Sequence, residues 1–112
     1  MIYTRKKVVI FLGGSLQEIR SFPDEARRRV GFQIDRLQQG LDPDDWKPMK
    51  IVGPGVREIR VREESGAYRV IYIATRDDAV YVLHAFQKKT EATSKRDIDL
   101  ATARFNELKR RD

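Results

Sequence analysis

The stretch that decides the fold reads VREIRVREESGAYRVIYIA and covers residues 56–74. In its first half, apolar and charged residues alternate, which predicts a strand over Val56–Glu63 with one apolar and one charged face. A short turn at residues 64–66, which includes a glycine, follows this strand. Residues 67–74 are then apolar or aromatic on both faces, interrupted only by Arg69. This pattern predicts a β-hairpin whose second strand lies inside a sheet.

The residues after the hairpin predict a third strand and a terminal helix. A turn at residues 76–78 leads into Val80–Phe86, where Val80, Val82, His84 and Phe86 are predicted to share one face. The dibasic pair Lys88-Lys89 follows the strand. Ser94 is predicted to cap a helix, with Asp97 three residues later close to a capping box. The apolar face of that helix would carry Ile98, Ala101, Phe105 and Leu108.

The residues before the hairpin predict one strand and two helices. Val8–Leu12 is apolar at every position, which predicts a strand buried on both faces. Ser15 is predicted to cap a short helix that ends near Arg20. A longer helix is predicted from Pro23 to Gly40, and residues 46–55 are interpreted as a connecting segment. The apolar stripe of the longer helix consists of Ala26, Val30, Ile34, Leu37 and Leu41.

These elements follow one another in the order β-α-α-β-β-β-α. The order predicts an α+β fold with a small, mainly antiparallel sheet of about four strands and helices packed on one face. We expect residues 1–112 to form a single domain, because 112 residues provide one hydrophobic core.

Composition narrows the possible partners. Lys and Arg number 23 against 17 Asp and Glu, so the formal net charge is +6, which favours a polyanionic partner such as nucleic acid. The chain has no cysteine and one histidine, which excludes disulfides, thiolate-bound zinc and histidine-rich metal sites, and we expect no cofactor. Residues Met1–Lys7 precede only five apolar residues, too few for a signal peptide or a membrane span, so the cytoplasm is the expected compartment.

The candidate site residues are the cations of the predicted sheet. Arg60 and Arg69 lie on paired strands, and RNA cleavage by the 2′-hydroxyl builds negative charge that arginine side chains stabilise without a metal ion. His84, Lys88 and Lys89 lie on the third strand or at its exit, and His84 titrates in the range needed for proton transfer. The alternative for the arginines is an ion pair with Glu58 or Glu63, and for His84 a buried position in the core.

The sequence has six stretches whose residues form a recognisable pattern: Phe22-Pro23, the helix stop at residues 37–40, Glu58-Ile59-Arg60-Val61, Tyr68-Arg69-Val70-Ile71-Tyr72, the strand end Val82 to Thr90 with its Lys88-Lys89-Thr90, and the helix Asp97 to Arg104. Together they resemble the phage-derived HigB-like branch of the RelE/ParE toxin superfamily. Ala85 and Gln87 depart from the commoner residues of that branch.

The resemblance implies the toxin of a type II toxin–antitoxin pair that cleaves mRNA at the ribosome. Its partners would be the ribosome, mRNA and a HigA-like antitoxin with a helix-turn-helix domain, with no membrane and no small-molecule cofactor. Arg60 and Arg69 would hold the scissile phosphate, and Lys88 or Lys89 would bind the flanking backbone. His84 would carry a proton or support its strand.

Two other functions remain open. A ParE-like inhibitor of DNA gyrase would share the fold and need no convergent cations, so Arg60→Ala and Arg69→Ala would remain toxic. A non-catalytic module that binds nucleic acid or the ribosome would leave mRNA intact.

Overall fold

A computed structural model describes residues 6–111; residues 1–5 and 112, and with them the greater part of the N-terminal segment considered above, lie outside the described residues. The predicted α+β class with a mainly antiparallel sheet is confirmed. The elements, in chain order, are β1 (Val8–Phe11), α1 (Ser15–Arg20), α2 (Asp24–Gln38), β2 (Trp46–Pro48), β3 (Val56–Glu63), β4 (Gly66–Ile73), β5 (Ala79–Lys88) and α3 (Lys95–Arg111).

The sheet has five strands in the order β1-β5-β4-β3-β2. β1 is parallel to β5, and the other neighbouring strands are antiparallel. The additional strand is β2, which sequence analysis interpreted as part of a connecting segment. It has only three residues and contains Pro48, which is tolerated because β2 lies at the edge of the sheet. Three residues are too few to show a hydrophobic period in the sequence. β2 is defined by its hydrogen-bonded pairing with β3.

Helices cover both faces of the sheet, so the expectation that they pack on one face is wrong. Side chains of α1 and α2 pack against one face, where Val70 and Tyr72 of β4 point. The apolar face of α3 packs against the opposite face, where Ile71 and Ile73 of the same strand point. The two faces of β4 are therefore both buried, as its continuous apolar sequence predicts.

An irregularity in β5 changes which side chains share a face. Tyr72 pairs with Val82 while Ile71 pairs with His84, so one extra residue is accommodated in β5. The prediction that His84 lies on the same face as Val80 and Val82 is therefore wrong. Beyond this point the alternation is shifted, and Phe86 lies opposite Arg69 on the face that α3 covers.

β1 and α1 differ in detail from the elements that the sequence predicts. β1 is only partly buried, with Val8 58% exposed, because it is an edge strand with β5 as its neighbour. Ser15 is the first residue of α1 rather than its cap, and its buried hydroxyl donates to the carbonyl of Val82.

At the end of α2, Gly40 has φ +82°, which stops the helix and leaves Leu41 exposed. Within residues 6–111, no helix combines the length and apolarity needed to cross a lipid bilayer.

Candidate nucleic-acid site

Charged side chains occupy the part of the α3-side face of the sheet that lies beyond the apolar core. Arg60 and Arg69 are directly opposite each other on β3 and β4. On β5, Phe86 lies opposite Arg69. Lys88, two residues after Phe86, lies on the same face of the sheet and is opposite Ala67. Like charges placed directly opposite each other on two strands destabilise a sheet. The repulsion between the two guanidinium groups must therefore be offset by a negatively charged side chain or ligand.

These cations line an open hollow of about 490 Å³, which we call the cationic hollow. Five cationic residues and one acidic residue line it, so its side chains carry a net charge of 5 − 1 = +4. Four of the five predicted site residues are brought together here, and Arg62 joins them. Arg62 follows Arg60 by two positions on the charged face of β3, so the alternation of the sequence already indicated it. The lining consists of Arg60, Arg62, Ala67, Arg69, Lys88, Lys89, Thr90 and Glu91.

Arg69 is also part of a buried ion pair with Glu58, one of the two partners that the sequence suggested. The Arg69 Nε atom lies 3.5 Å from Oε1 of Glu58, and the two residues are 3% and 0% exposed. Neither of these two atoms makes a hydrogen bond within the described residues. Burial lowers the pKa of the Arg69 guanidinium, Glu58 opposes this effect, and Arg60 and Arg62 add to it. Arg69 is therefore held at the floor of the hollow by this loose ionic contact and by a hydrogen bond of 3.1 Å from its Nη1 atom to the backbone carbonyl of Tyr68.

The other cations of the hollow are more accessible. The Arg60 side chain is 37% exposed, and its Nε atom lies 3.9 Å from a carboxylate oxygen of Asp45. Desolvation lowers the pKa of the Lys88 ammonium, and the charges of Arg69 and Lys47 lower it further. Lys89 is exposed at the end of β5. Closely spaced cations of this kind attract an anion that can contact several of them at once.

His84 lies outside the hollow, in a buried cluster that joins three elements. Its Nδ1 atom lies 2.9 Å from Oε1 of Glu18 in α1, and its Nε2 atom lies 2.7 Å from Oδ1 of Asp97 in α3. The ring is stacked on Phe86, with centroids 5.2 Å apart. The Nη1 atom of Arg104 also faces the ring, 3.3 Å from His84 Nδ1. With 3% exposure, His84 has no access to a substrate in the hollow.

Arg104 completes this cluster, and sequence reasoning missed both Arg104 and Glu18. Arg104 donates to both carboxylate oxygens of Glu18 and to the backbone carbonyl of Leu83. Burial raises the pKa of Glu18, but hydrogen bonds from His84 and Arg104 outweigh it and lower the pKa to about 2. Glu18 and Arg104 are 86 positions apart in the chain, so no local pattern could have indicated their contact.

The sheet topology and helix positions place the chain in the class of RelE-type α+β folds. A solved structure of the E. coli toxin RelE, a double arginine-to-alanine variant in the free state, has a TM-score of 0.63 to this chain. The match covers 92% of this chain and 98% of that one, at 15% sequence identity.

Residues 17–106 match the family model described as phage-derived protein Gp49-like, and the chain belongs to this family. The predicted membership of the RelE/ParE toxin superfamily, in its phage-derived branch, is thereby confirmed. No curated protein sequence is significantly similar to the chain.

Proposed function

We propose that this protein is the toxin of a type II toxin–antitoxin pair and cleaves mRNA at the ribosome in the cytoplasm. The family and the RelE-like fold support the toxin assignment. The observation that carries the nuclease assignment is the convergence of five cationic side chains from three strand segments on one open hollow. An RNA phosphate flanked by further phosphates is a ligand with matching charge.

In the proposed reaction the 2′-hydroxyl oxygen attacks the adjacent phosphorus and loses its proton to solvent water. The bond from phosphorus to the 5′-oxygen breaks as that oxygen takes up a proton. The products are a 2′,3′-cyclic phosphate and a free 5′-hydroxyl, and no metal ion takes part. Arg60 and Arg69 hold the non-bridging oxygens, where negative charge increases in the transition state. Lys88 and Lys89 bind the flanking backbone, and the lowered pKa of Lys88 suits its ammonium to donate the proton that the leaving 5′-oxygen takes up. His84 supports β5 and does not touch the substrate.

The proposed partners are the ribosome, which presents the mRNA, and a HigA-like antitoxin with a helix-turn-helix domain that keeps the toxin inactive. An adjacent gene encoding such a protein would support the pairing. The ribosome is proposed to position the substrate, so purified protein should cleave mRNA far faster on ribosomes than in free solution.

Induced expression followed by primer extension tests this function. We expect growth arrest and new 5′ ends within translated codons. Arg60→Ala and Lys88→Ala should abolish both effects. Arg110→Ala is the matched control, because Arg110 is an exposed cation near the end of α3, away from the hollow. Equal loss of activity in all three variants would show that only total charge matters and would contradict the proposed site.

A non-catalytic nucleic-acid or ribosome-binding module is the second candidate. Two observations favour it: His84 is occupied by carboxylates outside the hollow, and Arg69 already has Glu58 as a counter-ion. If the protein is such a module, it should bind the ribosome, Arg60→Ala should abolish this binding, and mRNA should remain intact. Toxicity that survives Arg60→Ala and is accompanied by gyrase-dependent DNA damage would instead indicate a ParE-like inhibitor.

A further inference from the structure

A second, smaller hollow of about 300 Å³ adjoins the cationic hollow. The two share one wall, formed by Lys88, Lys89 and Thr90. The opposite wall of the smaller hollow is formed by the start of α3, with Arg96 and Asp97. A ligand that fills the cationic hollow can therefore continue over the shared wall into the smaller one. We call the smaller space the helix-side hollow.

The chemistry of the helix-side hollow suits a nucleobase rather than a phosphate. Phe86 lines it with an aromatic ring, which the stacked ring of His84 keeps in place. Asp97 contributes a carboxylate, which repels a phosphate but accepts hydrogen bonds from amino groups on bases. The cationic hollow, by contrast, contains no aromatic side chain among its lining residues.

The Asp97 carboxylate is held in place and still has capacity to accept. Its Oδ1 atom lies 2.7 Å from His84 Nε2, and its Oδ2 atom accepts a hydrogen bond of 2.6 Å from the hydroxyl of Ser94. Each carboxylate oxygen accepts two hydrogen bonds, so each retains one free acceptor position. Its side chain is 19% exposed. A fixed acceptor that is partly open to a hollow is suited to recognising a donor group on a ligand.

Arg96 is the cation best placed to hold the backbone of that ligand. It is exposed in the first turn of α3 and lines the helix-side hollow. Among residues 6–111, no carboxylate is in ion-pair contact with it. The other basic residue of this turn, Lys95, is engaged by Asp99 at 2.8 Å. Arg96 therefore remains available for a phosphate.

We propose that the helix-side hollow is a nucleoside subsite that selects the base next to the phosphate bound in the cationic hollow. Asp97 accepts a hydrogen bond from the exocyclic amino group of that base, and Arg96 binds the following phosphate. The subsite favours cytosine, whose N4 donates, over uracil, whose O4 accepts. This inference rests on the proposed function, because it assumes that the cationic hollow holds an RNA phosphate.

Binding of single-stranded RNA tests the role of Arg96. The probes are fluorescent hexanucleotides of cytidine or uridine with 2′-O-methyl groups, which prevent cleavage, and the assay is anisotropy from 50 to 200 mM salt. Arg96→Ala should weaken binding of both probes about fivefold and reduce the slope of log affinity against log salt by about 0.7. Arg110→Ala is the control: it removes the same charge from the same helix, about 21 Å further along its axis. Equal effects of both variants overturn the subsite.

The role of Asp97 is tested by the ratio of the affinities for the cytidine and uridine probes. This ratio does not depend on the fraction of folded protein, because an unfolded fraction lowers both apparent affinities equally. The wild-type protein should bind the cytidine probe about fivefold more tightly than the uridine probe. Asp97→Asn should bring this ratio close to one, whereas Arg96→Ala should leave it unchanged. A wild-type ratio of one, or an unchanged ratio in Asp97→Asn, overturns the assigned role.

The outcomes separate this inference from the function on which it rests. Loss of binding in Lys88→Ala together with full binding in Arg96→Ala rejects the subsite and leaves the cationic hollow in place. No binding of either probe by the wild-type protein rejects the subsite, and the primer-extension experiment then decides the proposed function separately.

Discussion

Replacement of Glu58 by glutamine tests whether Arg69 is held as the structure indicates. Glu58 is 0% exposed, and its carboxylate lies 3.5 Å from the Arg69 guanidinium. Glutamine keeps the size and shape of the side chain but removes the negative charge. The guanidinium is then left buried without a counter-ion, and removal of one partner from such a pair costs about 3–5 kcal/mol. We expect Glu58→Gln to lower the free energy of unfolding by about 3 kcal/mol.

Replacement of Arg69 by methionine should cost less. Glu58 would then lose its nearest cation, but the ammonium of Lys47 lies 4.0 Å from its Oε1 atom and can serve as a partner. We therefore expect a loss of about 2 kcal/mol. In the double variant neither charge of the pair remains, so its loss should be smaller than the sum of the single losses by about 2 kcal/mol.

Urea unfolding followed by circular dichroism measures all four proteins of this double-mutant cycle. A coupling free energy near zero would refute the ion pair. The same proteins separate stability from function, because the double variant should be about as stable as Glu58→Gln, each having lost about 3 kcal/mol, and differs from it only in lacking Arg69. If Arg69 also binds RNA, as proposed, the double variant stays inactive in primer extension. Full activity there would show that Arg69 acts only in the fold.

The acid stability of the protein and the packing of α3 provide two further tests of the structure. The pKa of Glu18 is lowered from 4.5 to about 2 in the folded chain, so its stabilising contribution is complete above pH 4.5 and is lost as pH falls towards 2. The quarter of its side chain that is exposed is screened by solvent, and we expect a loss of about 1–2 kcal/mol between pH 6 and pH 3, measured by urea unfolding, that is absent in Glu18→Gln. At Gly53, an added Cβ would clash with the buried ring of Phe105, so Gly53→Ala should cost about 1–3 kcal/mol in thermal unfolding. An unchanged melting temperature would show that α3 can shift to relieve this clash.

The hairpin and the helices were predictable because their periodicity is local. Alternation in β3, the apolar run in β4 and the stripe of α2 are each properties of a few consecutive turns or residues. The three-residue strand β2 and the irregularity in β5 were missed, because backbone pairing with a neighbouring strand produces both. The shift in β5 matters for the site, because it separates His84 from the face on which the sequence placed it.

The sequence by itself determined the α+β class, the positive charge and the strands that carry the cations, because charge and hydrophobic period are properties of the chain. Only the tertiary structure decided which charges meet. Glu18, His84, Asp97 and Arg104 come together from three separated elements, and Glu58 lies within ionic contact of Arg69, because burying an ionisable group requires a partner that folding must supply from elsewhere in the chain.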